Sequence, residues 1–250
     1  MPNAKGKLIV ALDVDSFEKA RKLVLVLSPA VDIFKIGSQL FTACGPAAAR
    51  FVMAQGRKVF LDLKYHDIPN TVANAVYAAA NLGIFISTVE EQKEGFPKSV
   101  RQGLFMLTVH TAGGKQMLAA AREAAQKKAE ELLIPKPLLV GITVLTSDER
   151  KDDSRQIVIE RAVMAQEAGL DGVVASVEEA AVLRKKFGDK FIIVTPGIRP
   201  SGAQANDQKR IATPKQAVIS GSDFLVVGRP IVEAEYPLKA AQKILEEMAS

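Results

Sequence analysis

Asp62 and Lys64 stand two residues apart in the apolar run KVFLDLK (58–64), and Asp67 follows three residues later. An ammonium beside a carboxylate in an apolar segment can stabilise charge as it develops on a reacting carbon, and it can deliver a proton. Two other apolar runs carry similar charges. Asp13 lies near the end of LIVALDV (8–14), and Lys35 lies inside IFKIG (33–37). Side chains two apart on a strand share a face, so Asp62 and Lys64 point the same way as Phe60, while Leu61 and Leu63 point the other way. By the same parity Asp13 goes with Ile9 and Ala11, and Lys35 goes with Ile33 and Gly37. Buried ionised groups must be paired. Acids and lysines at neighbouring strand ends supply that pairing. A structural ion-pair cap would use the same residues, but four charges at three successive strand ends favour a reactive site.

A second group of residues suits an anion. FLVVGR (224–229) ends in Gly228 and Arg229, and Pro230 follows. Glycine frees a backbone N–H, arginine brings a planar donor fork, and proline can start a short helix. FIIVTPGI (191–198) runs into Arg199, and the polar, Gly-containing loop RPSGAQANDQKR (199–210), which contains Gln208, could fold over an anion as a lid or be an ordinary surface loop, and its length alone does not decide between them. Thr146 follows another apolar run, LLVGITVL (138–145). Taken alone, Asp67 reads as a cap for a helix beginning at Pro69. His66 and His110 are too few for a metal site and read as hydrogen-bonding residues at strand ends. Cys44, beside Gly45 and Pro46, reads as inert. A Schiff-base role for Lys64 requires an amine without an adjacent carboxylate, and Asp62 argues against it.

The elements that must position these residues alternate along the chain. Eight strand candidates occur at 8–14, 33–37, 58–64, 104–110, 138–145, 172–176, 191–198 and 224–229. Between and after them lie helical patterns near 16–27, 38–55, 69–81, 114–132, 154–168, 178–187, 214–220 and 235–248. Eight such units in 250 residues, with no G-x-G-x-x-G after the first strand, predict a closed (β/α)8 TIM barrel in one domain. In that fold the chemistry belongs at the carboxyl ends of the strands. Residues 84–103 separate a helix from the next strand by more than the usual handful, and they read as an insertion at the opposite face.

Composition excludes several classes. With 48% apolar and 24% charged residues the chain can build a large core. One Cys and two His exclude a disulfide framework and a multi-Cys zinc site. The net charge of +5 comes from 33 Lys and Arg against 28 Asp and Glu. These charges are scattered over helix faces, and three Tyr with no Trp offer little base stacking, so nucleic acid is not an expected partner. No apolar run is long enough for a membrane span, and the first residues lack a signal-peptide shape. Both point to a cytoplasmic protein, and the basic charge left over by the helix faces suits a small anionic substrate.

The motifs also resemble a known family. LDLKYHDIPNTV (61–72) is similar to the D-x-K-x-x-D-I-P-N-T signature of the orotidine 5′-phosphate decarboxylases. ALDVDS (11–16), FKIG (34–37), LTVHTAGG (107–114), TVLTS (143–147), TPGIRP (195–200), DQKR-IATP (207–214) and LVVGRPI (225–231) follow in the family's order. The resemblance covers nearly the whole chain, is strongest to the bacterial branch, and departs from the family at 84–103. It implies cofactor-free decarboxylation of orotidine 5′-monophosphate to UMP by a homodimer with shared sites. It implies that Lys35, Asp62 and Lys64 form a charged array with Asp67 of the partner subunit, and that Lys64 protonates C6. Asp13 and Lys35 would hold the ribose, with the partner's Ile68 and Thr71 along it. Thr146 would meet the base or the loop above it. Arg199, Gln208, Gly228 and Arg229 would bind the phosphate or close its loop. The resemblance thus overrides the capping role of Asp67. Two alternatives are a Mg²⁺-dependent sugar-phosphate decarboxylase or aldolase of the same superfamily, and a non-catalytic nucleotide-binding protein. The intact Lys64 and Asp62 speak against the second.

Overall fold

The computed structural model describes residues 7–144, 154–200 and 212–250. Ten strands occur among them: β1 (Lys7–Ala11), β2 (Ile33–Gly37), β3 (Lys58–Tyr65), β4 (Ile84–Ile86), β5 (Ser99–Arg101), β6 (Met106–His110), β7 (Leu138–Ile142), β8 (Gly172–Val174), β9 (Ile192–Thr195) and β10 (Phe224–Val227). The helices are α1 (Phe17–Leu27), α2 (Ser38–Cys44), α3 (Ala47–Ala54), α4 (Pro69–Ala80), α5 (Val89–Lys93), α6 (Gly114–Leu132), α7 (Ser154–Glu167), α8 (Val177–Phe187), α9 (Pro214–Ile219), α10 (Arg229–Val232) and α11 (Pro237–Ala249). Eight strands close a parallel barrel in the order β1-β10-β9-β8-β7-β6-β3-β2. This is the (β/α)8 architecture that the alternation of apolar runs predicts. None of the described helices is long and apolar enough to cross a membrane.

Strand parity builds two cores. Ile9, Ala11, Ile33, Phe60, Met106, Val140, Val194, Phe224 and Val226 fill the barrel interior. Their neighbours on the other face, such as Val10, Phe34, Leu61 and Leu107, belong to the larger core beneath the helices. The alternation explains why these strands are apolar throughout: both faces are covered. It also carries Lys35 and Asp62 inward, two residues beyond Ile33 and Phe60.

Three local readings change in the structure. The helical pattern 38–55 is two helices, α2 and α3, because Gly45 takes a left-handed φ of 59° and Pro46 follows it. Most strands end two to three residues before the sequence pattern does, since the ladder stops where the chain turns toward the mouth. And Asp67 does not cap α4. The N-cap is Ile68, which offers no side-chain acceptor, and Pro69 occupies the first turn with no N–H to satisfy.

Residues 84–103 contribute an antiparallel pair, β4 and β5, with α5 between them. Phe96 is buried here and meets the Phe51 ring edge-on at 5.3 Å. Arg50 joins Glu91 at 3.1 Å and lies over the Phe85 ring. Arg101 and Gln102 line a cavity with Lys58 and Leu138, the first residues of β3 and β7, so the segment sits at the amino-terminal mouth.

Candidate active site

At the opposite mouth lies a cavity of about 580 Å³, a volume suited to a nucleotide-sized ligand. Its floor is apolar, made of Ala11, Phe60, Ile142, Val174, Val194 and Val226 from the barrel interior. Four charged side chains stand on one wall. Register brings them together: Ala11 is opposite Lys35, and Gly37 is opposite Asp62. Lys35 Nζ donates to Asp13 Oδ1 at 3.1 Å and stands 3.5 Å from Asp62 Oδ2. Lys64 Nζ reaches the same Asp62 oxygen at 2.9 Å. The row therefore reads acid, base, acid, base, and its formal charge is zero.

Burial decides how these groups behave. The side chains of Lys35 and Asp62 are only 10% and 12% exposed, whereas Lys64 keeps 38% and Asp13 48%. The inner pair is held by its neighbours, and breaking such a pair by removing one partner costs about 3–5 kcal/mol. The outer pair faces the cavity and can meet a ligand. Thr108 completes the support. Its hydroxyl donates to Asp62 Oδ1 at 3.1 Å and accepts the Lys64 backbone N–H at 2.8 Å.

Lys64 has an unusual backbone. Its φ is +51°, and the pairing of β3 with β6 shifts between Leu61 and Tyr65. On a regular strand, parity puts Asp62 and Lys64 on one face. They do converge, but through a bulge that re-aims the lysine.

Arg199, Gly228, Arg229 and Glu233 continue the cavity wall beyond Asp13, since β10 pairs with β1 and a methyl group at Gly228 would stand 3.6 Å from Asp13 Oδ2. Two arginines against one glutamate leave a formal charge of +1 there, which suits an anionic group on a ligand. Gly228 precedes α10, a single turn that starts at Arg229. Seven of the residues singled out in the sequence thus line one cavity: Asp13, Lys35, Asp62, Lys64, Arg199, Gly228 and Arg229.

Three do not. Asp67, Ile68 and Thr71 lie on an exposed run, residues 66–71, outside the cavity. Asp67 accepts the Ile68 N–H at 2.6 Å, and Ile68 leaves 65% of its surface in water. Thr146 and Gln208 fall outside the described residues.

His66 and His110 stack with ring centroids 5.1 Å apart, and His110 Nδ1 accepts the Ala112 N–H. Burial pushes the His110 imidazole below its usual pKa, and the positive charges of His66, Arg161 and Lys64 push the same way. Cys44 donates to the Leu40 carbonyl within its own helix. Among the described residues no three His, Cys, Asp or Glu side chains gather as metal ligands would.

The sequence reading missed Gln39 and Glu233 in the cavity wall, and it missed Thr108 and Gly37 behind it. Thr108 left a signal, being a polar residue inside LFMLTVH. Gly37 left another, as a glycine two residues after a buried lysine.

The chain matches the model of the orotidine 5′-phosphate decarboxylase / HUMPS family over residues 6–244. It belongs to this family. Relatives named orotidine 5′-phosphate decarboxylase share 45% identity with it in Moorella thermoacetica, over 98% of this chain and 93% of that one. The relative from Syntrophotalea carbinolica is also 45% identical, over 99% and 96%. A crystal structure of orotidine 5′-phosphate decarboxylase from Lactobacillus acidophilus superposes with a TM-score of 0.77 at 34% identity, covering 98% of this chain and all of that one. Membership in the decarboxylase family agrees with the motif at 61–72 and with the barrel that presents it.

Proposed function

We propose that the protein decarboxylates orotidine 5′-monophosphate to UMP and CO2, a step of pyrimidine biosynthesis. The observation that carries this reading is the Lys64 ammonium, 2.9 Å from Asp62 at the mouth of a barrel cavity that also holds Arg229. In the reaction the C6–carboxylate bond breaks, and its electron pair stays on C6. No neighbouring carbonyl is arranged to take up that charge. An ammonium held at C6 stabilises it as it forms and then transfers a proton to it. In this reading Lys64 does so, and water returns the proton to its amine. The ammonium meets both needs of the step, so the chemistry calls for no cofactor.

The remaining roles are those that the family resemblance implies. Asp62 holds the Lys64 ammonium and stands against the substrate carboxylate, which disfavours the bound acid relative to the product. Lys35 and Asp13 bind the ribose hydroxyls. Arg229, Gly228 and Arg199 take the 5′-phosphate, and Gln208 joins them. Thr146 reads the base. Binding energy from the phosphate, far from C6, orders the charged row around the pyrimidine. Asp67, Ile68 and Thr71 have no place in the cavity of their own chain. Their exposure supports a homodimer in which Asp67 of the partner subunit completes the array and the partner's Ile68 and Thr71 line the ribose.

The test is the loss of orotidine 5′-monophosphate absorbance, with and without EDTA. Turnover that EDTA leaves unchanged is expected. Turnover lost with EDTA would move the protein to the Mg²⁺-dependent branch of the superfamily, and no turnover at all would end the reading. Lys64→Ala should abolish decarboxylation and keep UMP binding, measured by calorimetry. A rate within about tenfold of the parent, a barrier change of only ~1.4 kcal/mol, would remove Lys64 as the proton donor.

A further inference from the structure

Lys64 and Leu133 are the two described residues other than glycine with a left-handed φ. For a residue with a side chain that conformation costs about 1–2 kcal/mol, so something must hold it. Leu61 is opposite Leu107, and Tyr65 is opposite Val109. Four steps along β3 thus match two steps along β6, and the surplus is the bulge that contains Lys64. Thr108 lies in the middle of the matching stretch of β6.

The Thr108 hydroxyl has one hydrogen to give and two lone pairs to accept with. The Lys64 backbone N–H is a donor only, so Oγ1 must accept at that contact. The ionised Asp62 carboxylate is an acceptor only, so the hydroxyl hydrogen must go to Asp62 Oδ1. Both directions are therefore set, with no freedom to rotate. One oxygen of Asp62 is taken by Thr108, and the other, Oδ2, faces Lys64 Nζ and Lys35 Nζ. Thr108 has no exposed surface and does not line the cavity. It touches the Lys64 backbone and the Asp62 carboxylate from behind the cavity wall.

We infer that Thr108 is a positioning residue for the reaction. Its hydroxyl holds the bulge that aims Lys64 and fixes the rotation of Asp62, so that the ammonium stands where C6 arrives. The kinetic part of this inference rests on the proposed decarboxylation, and the structural part does not.

Thr108→Val keeps the shape and removes the hydroxyl, and Thr108→Ser keeps the hydroxyl. Thr108→Val is expected to lower kcat about 10- to 100-fold, the scale of one lost hydrogen bond to a charged group, with KM changed less than about threefold. Thr108→Ser should restore kcat to within about threefold of the parent protein. Crystal structures of the parent and of Thr108→Val should show the Lys64 φ leaving the left-handed region and the Lys64–Asp62 contact lengthening. Thr108→Ala is the second variant if valine prevents folding, and it should show the same kcat loss and the same structural change. Unchanged kcat in Thr108→Val or Thr108→Ala overturns the inference. So does a Thr108→Ser protein as impaired as Thr108→Val, since side-chain volume would then be at issue. If the parent protein has no decarboxylase activity, the proposed function fails by itself. The two crystal structures then still decide whether Thr108 holds the Lys64 bulge.

Discussion

A methyl group at Gly37 would stand 3.0 Å from Lys35 Nζ and 3.3 Å from Asp13 Oδ1. The ammonium ends a flexible chain and would shift by a few tenths of an ångström, away from its partners. Gly37→Ala is therefore expected to cut kcat/KM by about tenfold, or ~1.4 kcal/mol of transition-state stabilisation, with the thermal midpoint nearly unchanged. Activity equal to the parent protein's would show that the Lys35–Asp13 contact tolerates the intrusion. His110 carries a different prediction. Its folded pKa lies below the ordinary imidazole value, so between the two values the unfolded chain binds more protons. This contribution to stability is complete above the ordinary value and is lost as pH falls through it toward the folded pKa. His110→Asn should accordingly show a smaller drop in urea midpoint between about pH 7.5 and about pH 5.5. An equal drop would mean that other groups govern the acid limb.

Among the elements, the β4–α5–β5 segment is tied to α1 and α3 and not to the catalytic mouth. Arg21 donates to the Glu94 carbonyl, Gln55 to that of Gly95, and Phe96 packs into the core against Phe51. Phe96 packs in the core beneath the helices, whereas the charged row lines the cavity at the barrel mouth. Phe96→Ala should thus lower stability by about 3 kcal/mol, as expected for truncating a buried aromatic, and leave kcat/KM within about twofold. Urea denaturation and the absorbance assay read the two quantities separately. A large rise in KM without unfolding would mean that the segment acts on the site after all. The bulge in β3 is the contrasting case, since there a single irregular step sets the direction of the Lys64 side chain in the cavity.

For the whole molecule, the proposed homodimer would give the exposed run 66–71 a role across subunits. If Asp67 serves the partner's cavity, Lys64→Ala and Asp67→Ala damage different places in a dimer. In a mixed dimer one site receives both changes and the other receives neither, so two inactive proteins should regain up to about half the parent activity per heterodimer. Mixing under conditions of proven subunit exchange, followed by the absorbance assay, measures this. If Asp67 acts within its own chain, every site keeps one defect and no activity returns.

The barrel and its charged wall were legible in the chain because both rest on local periodicity. Alternate residues of a strand face alternate sides, so the pattern that buries Ile9, Ile33 and Phe60 inward also sends Lys35 and Asp62 inward. The motif at 61–72 and the ordered signatures around it carried the family. Other features depend on pairing between distant segments, which no local pattern records. The left-handed turn at Lys64 exists because β3 and β6 run out of step, and Thr108 earns its role only when β6 lies beside that irregularity. Gln39 and Glu233 enter the cavity wall only once the barrel closes and brings their turns to one mouth. The residues that carry charge could be read along the chain, whereas the direction in which each one points was decided by tertiary register, because a side chain's aim depends on the backbone that the neighbouring strand allows.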